Sequence, residues 1–252
     1  MTLDSTYHKV KHITRHVYET QMVSHAFGLF ACRFRDKYHL LHDFDVAVVQ
    51  ECEDPKQSTN KSYATLAGRS FWLGKIKHKG LGIFLGEDTQ ADIMKLPETT
   101  QEYFLPLQLS SGKQILAVWA MGAKRVQDGY IAQIHDYLRT HEQYFDWANL
   151  TIVGDFNSNA QWDGKRELRN HGNLVKKLDN KGLTSLYHHN HEIENGQEEH
   201  PTFYMYRKLE RPYHIDYVFI PQHAAKTSSI AIGDPNDWLI HSDHMPLFAD
   251  IT

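Results

Sequence analysis

Four stretches end apolar runs on groups that could do chemistry. "DVAVVQE" is apolar from Val46 to Val49 and then presents Gln50 and Glu51, while "VGDFNSNAQWD" presents Asp155, Phe156 and Asn157 in succession. "HIDYVFIP" sets Asp216 inside an apolar alternation, and "HSDHMPLFADI" puts Asp243 beside His244 just ahead of a last apolar run. Taken singly, an acid or amide at a strand end is an ordinary turn or cap residue. Asp216 is harder to explain that way, because an ionised carboxylate among apolar neighbours is costly unless it is paired, hydrogen-bonded or bound to metal. If these strand ends converge at one sheet edge, Glu51, Asp155, Asp216 and Asp243 form an oxygen cluster that needs a divalent cation or a protonated histidine to offset its repulsion. Many carboxylates, with no cysteine pair or histidine motif at zinc spacing, favour Mg²⁺ or Mn²⁺. Such a site suits phosphate ester hydrolysis.

The elements that must position these groups alternate in type. Short apolar segments over Asp45–Gln50, Gly80–Leu85, Gln114–Trp119, Leu150–Gly154, Tyr213–Ile220 and Pro246–Asp250 read as strands. Between the third and fourth, Gly129–Tyr144 carries Ile131, Ile134, Tyr137 and Leu138 at helical spacing. A second helix is expected over Asn173–Lys181, with Leu174, Val175 and Leu178 on one face and Gly182 as its stop. The polar stretch His188–His200 reads as a surface loop, and His188 with His189 as solvated surface. The pattern is mixed α/β without internal repeat or linker, so a single domain over 1–252 is expected.

The whole-chain numbers agree. With 252 residues, 41% of them hydrophobic, the chain can bury one substantial core. Cys32 and Cys52 are too few for a disulfide framework, and no stretch has the length of a membrane span or the form of a leader, so a cytoplasmic location is expected, with no membrane contact and no obligate protein partner. A net charge of -4 argues against a general positive field for nucleic acid but leaves room for a local basic groove.

"VVQE", "GDFN", "HIDYVFI" and "SDHMPL", in this order, resemble the signature blocks of the endonuclease/exonuclease/phosphatase superfamily, which includes pancreatic-type deoxyribonuclease and the exonuclease III-type apurinic endonucleases. Each block is weak alone; together they are specific, and the resemblance covers roughly residues 38–252. It implies a four-layer α/β sandwich, two packed mixed β-sheets flanked by helices. It further implies Glu51 as principal Mg²⁺ ligand, Asp155 orienting or deprotonating the attacking water, Asn157 holding that water or the phosphate, and His244 acting on a phosphoryl oxygen. Asp243 would fix the His244 ring or help bind metal, and Asp216 would polarise a histidine or complete the metal shell. Tyr130 stands where relatives place a phosphate-contacting residue, or is a packing residue at a helix start.

The chain departs from that family in two places. The first strand of the family ends in a Trp-Asn pair, whereas "SHAFGLFACR" has none, making the N-terminal segment 1–30 divergent. At the end of "ILAVWAMGAK", Trp119 and Ala120 replace a second catalytic histidine found in some branches; His214 reads as structural rather than as its substitute. "HPTFYMYRKLERPYHIDY" interleaves Phe203, Tyr204 and Tyr206 with Arg207, Lys208 and Arg211, a composition suited to stacking on bases and pairing with phosphates, or to an aromatic hairpin with solvated charges. Trp162 and Trp238 would be pocket walls or core, and Lys75, Lys77 and Lys79 in "GKIKHKG" could track a backbone or face solvent on an edge strand. The reading is a Mg²⁺-dependent phosphodiesterase, a nuclease on DNA. The alternatives are a hydrolase for a small phosphorylated molecule and a phosphate-binding homologue that has lost turnover.

Overall fold

A computed structural model describes residues 25–31, 44–164 and 168–252. The strands are β1 (His25–Ala31), β2 (Val46–Cys52), β3 (Ser70–Ile76), β4 (Lys79–Leu85), β5 (Ala91–Ile93), β6 (Phe104–Leu109), β7 (Gln114–Trp119), β8 (Leu150–Asp155), β9 (Leu183–Ser185), β10 (Phe203–Tyr204), β11 (Pro212–Tyr213), β12 (Asp216–Pro221), β13 (Ser229–Ile232) and β14 (Leu247–Ile251). One sheet runs β13-β14-β1-β2-β4-β3 and the other β5-β6-β7-β8-β12-β9, with β10 and β11 forming a separate hairpin. Each sheet is mixed, with β1 parallel to β2 in the first and β7 parallel to β8 in the second.

Alternation along β2 shows how the layers form. Val46 and Val48 enter a shared interior with Leu81 and Ile83 of β4 and with Leu105, Leu107, Ile115 and Ala117 from the second sheet. The intervening Ala47 and Val49 face the other way, onto Tyr63, Leu66, Phe84 and Trp238. The outer face of the second sheet, through Leu116, Val118, Ile152 and Phe219, meets Ile134 and Leu138 of the helix Ile131–His141 and Leu174 and Leu178 of the helix His171–Asn180. Full burial of side chains of this size stabilises by roughly 1.5–3 kcal/mol each, which makes both strand faces adhesive and produces the four-layer sandwich. No helix among the described residues is long and apolar enough to cross a membrane.

Several sequence expectations change in detail. The stretch Tyr213–Ile220 is interrupted at His214 and Ile215, where the chain leaves the β10–β11 hairpin and Thr202 Oγ1 accepts from the Ile215 and Asp216 amides at 3.0 and 3.1 Å. The first long helix begins only at Ile131, because Tyr130 has φ 49° and ψ -123° and cannot belong to it, and its last turn, Glu142–Tyr144, tightens to a 3-10 helix. His188–His200 is not simply a surface loop. It starts within a helix, Leu186–His191, and His188 is buried, bonded to Ser185 Oγ at 2.7 Å and Glu198 Oε1 at 2.9 Å. These partners meet hydrogen-bonding needs that water would otherwise serve, which is why a polar sequence can run inside. Strand β1 occupies the place of the divergent first strand, between β14 and β2; Cys32 and the part of the segment 1–30 before His25 lie outside the described residues.

Topology delivers the site. The ends of β2, β7 and β8 and the starts of β12 and β14 reach one edge of the sandwich: Asp155 pairs in register with both Trp119 and Asp216, and Leu247 at the start of β14 pairs with Leu29 near the end of β1. Gly154 makes the close approach possible. Its φ is +150°, and a Cβ there would lie 1.8 Å from the Val118 carbonyl oxygen.

Candidate active site

The strand edge opens into a cleft of ≈ 650 Å³ whose lining includes Glu51, Lys79, Trp119, Tyr130, Asp155, Asn157, Arg207, Asp243 and His244. Asp155 is its fixed point. Buried at the end of β8, it accepts from the Asn157 amide N–H at 2.7 Å through Oδ1 and from Asn157 Nδ2 at 2.6 Å through Oδ2. Asn157 Nδ2 also donates to Ala120 O at 3.0 Å, and the residue adopts φ 47°, a left-handed conformation asparagine tolerates better than most. "DFN" is thus a compact device in which the amide aims the acid. Burial, and after it the Asp216 carboxylate, push the Asp155 carboxyl up to about 8, while His244 pulls the other way.

Asp216 and His244 form the second unit. His244 Nδ1 lies 2.9 Å from Asp216 Oδ2, and the His244 amide donates to Ser242 Oγ at 3.0 Å. Burial by itself would lower the imidazolium pKa; the Asp216 charge and hydrogen bond outweigh it and raise His244 to about 9. Phe203 braces the ring at 4.6 Å between centroids. The expected partner for the buried Asp216 is therefore this histidine. Asp243 lines the cleft and adds negative charge near His244, but the group that fixes the ring is Asp216.

Ligand atoms of Asp155, Asp216 and His244 lie within 4.8 Å of one another, close enough to hold a metal ion. Asp216 Oδ1 is buried without a hydrogen-bond partner, and two buried acids face a single imidazole. A hard divalent cation fits the two acids: it would satisfy the orphaned oxygen and offset the burial and the Asp216 repulsion that raise Asp155, leaving His244 as the paired imidazolium. Glu51, at φ 57° where the β2–β4 register slips, stands at the rim with its side chain 45% exposed and 2.8 Å from Lys79 Nζ. It lies outside the three-group cluster.

The remaining candidates divide. Tyr130 is 44% exposed and lines the cleft, as a surface residue and not as helix packing. Arg207 also lines it, with its guanidinium near the Ile240 and His241 carbonyls, whereas Lys208 is exposed outside the lining. Trp162 is 49% exposed in an adjoining depression that shares Tyr130 and Asn157, its ring 5.4 Å from Tyr213. Trp238 is a correction: it is 3% exposed and packs against Phe248 in the core beneath the first sheet, so it forms no wall of the cleft. His214 is buried with Nδ1 on the His200 carbonyl at 2.8 Å, consistent with a structural role. Sequence reasoning passed over Thr202, Ser242 and the Ala120 carbonyl, whose roles depend on backbone geometry that no residue type announces.

A scan against protein-family models finds no match, and a search of curated proteins finds none either. Solved structures do match. An AP endonuclease from Archaeoglobus fulgidus superposes with TM-score 0.63 at 16% identity over 89% of this chain and 98% of that one. The 3'-5' exonuclease NExo from Neisseria meningitidis gives 0.61 at 17% identity over 90% and 99%, and truncated Caenorhabditis elegans TDP2 gives 0.61 at 12% over 91% and 98%. Strand order, four-layer packing and these superpositions together show that the chain has the deoxyribonuclease I-like fold of the endonuclease/exonuclease/phosphatase proteins.

Proposed function

We propose that the chain is a divalent-cation-dependent phosphoric ester hydrolase, a nuclease that cleaves DNA phosphodiester bonds by in-line attack of water. The observation that carries this reading is the pairing of an Asn157-aimed Asp155 with an Asp216-charged His244 around one cleft. The structural neighbours, two of them described as an AP endonuclease and a 3'-5' exonuclease, support the same class.

In this mechanism Asp155, once ionised, accepts a proton from the attacking water, and Asn157 keeps its lone pairs pointed into the cleft. His244, held as imidazolium by Asp216, donates to a non-bridging phosphate oxygen as charge develops there. Tyr130 offers a hydroxyl to the same phosphate from the cleft wall, and Arg207 extends positive charge along the strand. Asp155, Asp216 and Glu51, with Asp243 nearby, would hold Mg²⁺, or Mn²⁺ in its place. When bound, the cation supplies Lewis-acid stabilisation of the phosphate and leaving oxygen. Arg207 and Tyr206 at the hairpin tip, with Trp162 across the adjoining depression, suit a nucleotide chain better than a compact ester; Tyr206 is 73% exposed and stacks with Arg211 at 5.7 Å.

The test is cleavage of a labelled duplex, with and without an abasic site, in Mg²⁺ and in EDTA, for wild type, Asp155→Ala and His244→Ala, with release of phosphate from small esters measured in parallel. Cation-dependent cutting by wild type alone supports the nuclease. Hydrolysis of the small ester with intact DNA retires the DNA assignment and keeps the hydrolase.

A further inference from the structure

Lys79 is a lysine at the mouth of the cleft whose position is set by backbone anchoring. The β3–β4 hairpin that carries it is tied to the segment after Glu51, with Asp54 N–H donating to Lys77 O at 2.7 Å and Trp72 Nε1 donating to Cys52 O at 3.2 Å. Its neighbours on the same hairpin point elsewhere: Lys75 pairs with Glu102 at 2.6 Å, and neither Lys75 nor Lys77 lines the cleft. Lys79 Nζ sits 5.3 Å from the centroid of the Trp119 ring and 2.8 Å from Glu51 Oε1. Trp119 is itself only 3% exposed and braced by Tyr103 at 4.8 Å, so the indole is a fixed floor under the ammonium. A cation–π contact and one carboxylate therefore hold the charge where Trp119 and Ala120 offer no imidazole.

We propose that Lys79 is a substrate-binding residue of this cleft: Glu51 holds its ammonium until Glu51 engages a cation, and the freed ammonium then contacts a non-bridging oxygen of the phosphodiester. The inference rests on the hydrolase reading above. A carboxylate cannot fully serve two cations, so the divalent ion and Lys79 compete for Glu51, and an anionic phosphate arriving with the ion gives the ammonium a new partner. A single ammonium on the phosphate, in place of a base contact, implies binding that is insensitive to sequence.

The test uses Lys79→Met, Lys79→Arg and, as a hairpin control, Lys75→Met. Fluorescence anisotropy with a labelled duplex in Ca²⁺ measures affinity across a salt series, electron paramagnetic resonance measures Mn²⁺ binding, and Asp155→Asn serves as the turnover control. Lys79→Met is expected to weaken duplex binding about tenfold and reduce the salt slope by about one, with Lys79→Arg recovering most of the loss and Lys75→Met unchanged. Mn²⁺ should bind the Lys79→Met protein several-fold tighter than wild type, because its competitor has gone. Unchanged duplex affinity and salt slope in Lys79→Met, while wild type still hydrolyses phosphodiesters and Asp155→Asn does not, overturns the proposal and leaves the hydrolase reading intact. A wild type that neither binds nor hydrolyses any phosphodiester overturns both.

Discussion

Replacing Asp216 by Asn tests the electrostatic half of the proposed mechanism at saturating Mg²⁺, where the loss of one proposed cation ligand is offset, because it keeps the shape of the side chain and removes its charge. Asp216 Oδ2 sits 2.9 Å from His244 Nδ1, and it does most, with Asp155 and Asp243 adding to it, to lift the imidazole to about 9 against a burial effect acting downward. Without that charge only Asp155 and Asp243 oppose burial, so the His244 pKa should fall from about 9 toward its ordinary 6.5, by up to about 2.5 pH units, or roughly 3 kcal/mol in favour of the neutral ring. At pH 7.5 the imidazolium fraction then drops from nearly all toward about a tenth at the full shift, and the neutral amide no longer offers a charged acceptor to Nδ1. A loss of about 10²–10⁴ in kcat is expected, with little change in KM. Stability follows the same sign. A histidine whose pKa is raised on folding contributes below its unfolded value of about 6.5 and loses that contribution as pH rises through 9, so the stability gap between wild type and variant should narrow at alkaline pH. The assays are a pH–rate profile of phosphodiester hydrolysis and an NMR titration of the His244 ring in both proteins. A His244 that still titrates near 9 in Asp216→Asn, or an unchanged rate, would refute the reasoning.

Three further outcomes follow from the same structure. Burial pushes His171 and His214 down to about 4, so the unfolded chain takes up protons first; stability should be full above about pH 6.5 and fall by up to about 3 kcal/mol per histidine between pH 6.5 and 4, measured by urea titration, with His171→Gln flattening that slope. Gly154→Ala would drive a methyl to within 1.8 Å of the Val118 carbonyl, so the β7–β8 pairing must spread and the melting temperature should fall by several degrees, with activity lost even where the protein remains folded. Trp238→Ala should cost about 3–5 kcal/mol by denaturant titration while leaving duplex affinity per folded molecule unchanged, as expected of a core residue and not of a cleft wall.

Much of the fold was legible because strand-sized apolar runs bury both faces. Gln114–Trp119 emerges with the expected bounds, and Leu150–Asp155 within one residue. Other strands escaped, among them half-exposed β3, which alternates weakly with Leu73 and Ile76 open to solvent, and buried β6, which carries Pro106 in its middle. β3 lies at a sheet edge, which local composition does not reveal, and β6 lies inside its sheet despite a proline that argues against a central strand. Trp238 and His188 show the same limit in side chains. A tryptophan just ahead of the His-Ser-Asp-His stretch is core, and a histidine in a polar tract is buried, because both outcomes depend on what a distant segment brings to them.

The sequence by itself determined which groups stand at strand ends, Glu51, Asp155, Asn157, Asp216 and His244, since an apolar run cannot continue through an acid or amide without leaving the core or finding it a partner. Only the tertiary structure decided the pairings: Asp216 with His244 across 28 residues and Glu51 with Lys79 between the paired strands β2 and β4. The reason is physical. Burial and the tendency to turn act between neighbours in the chain, whereas a charge is set by whatever lies within a few ångströms in space, and that is fixed by how two sheets stack.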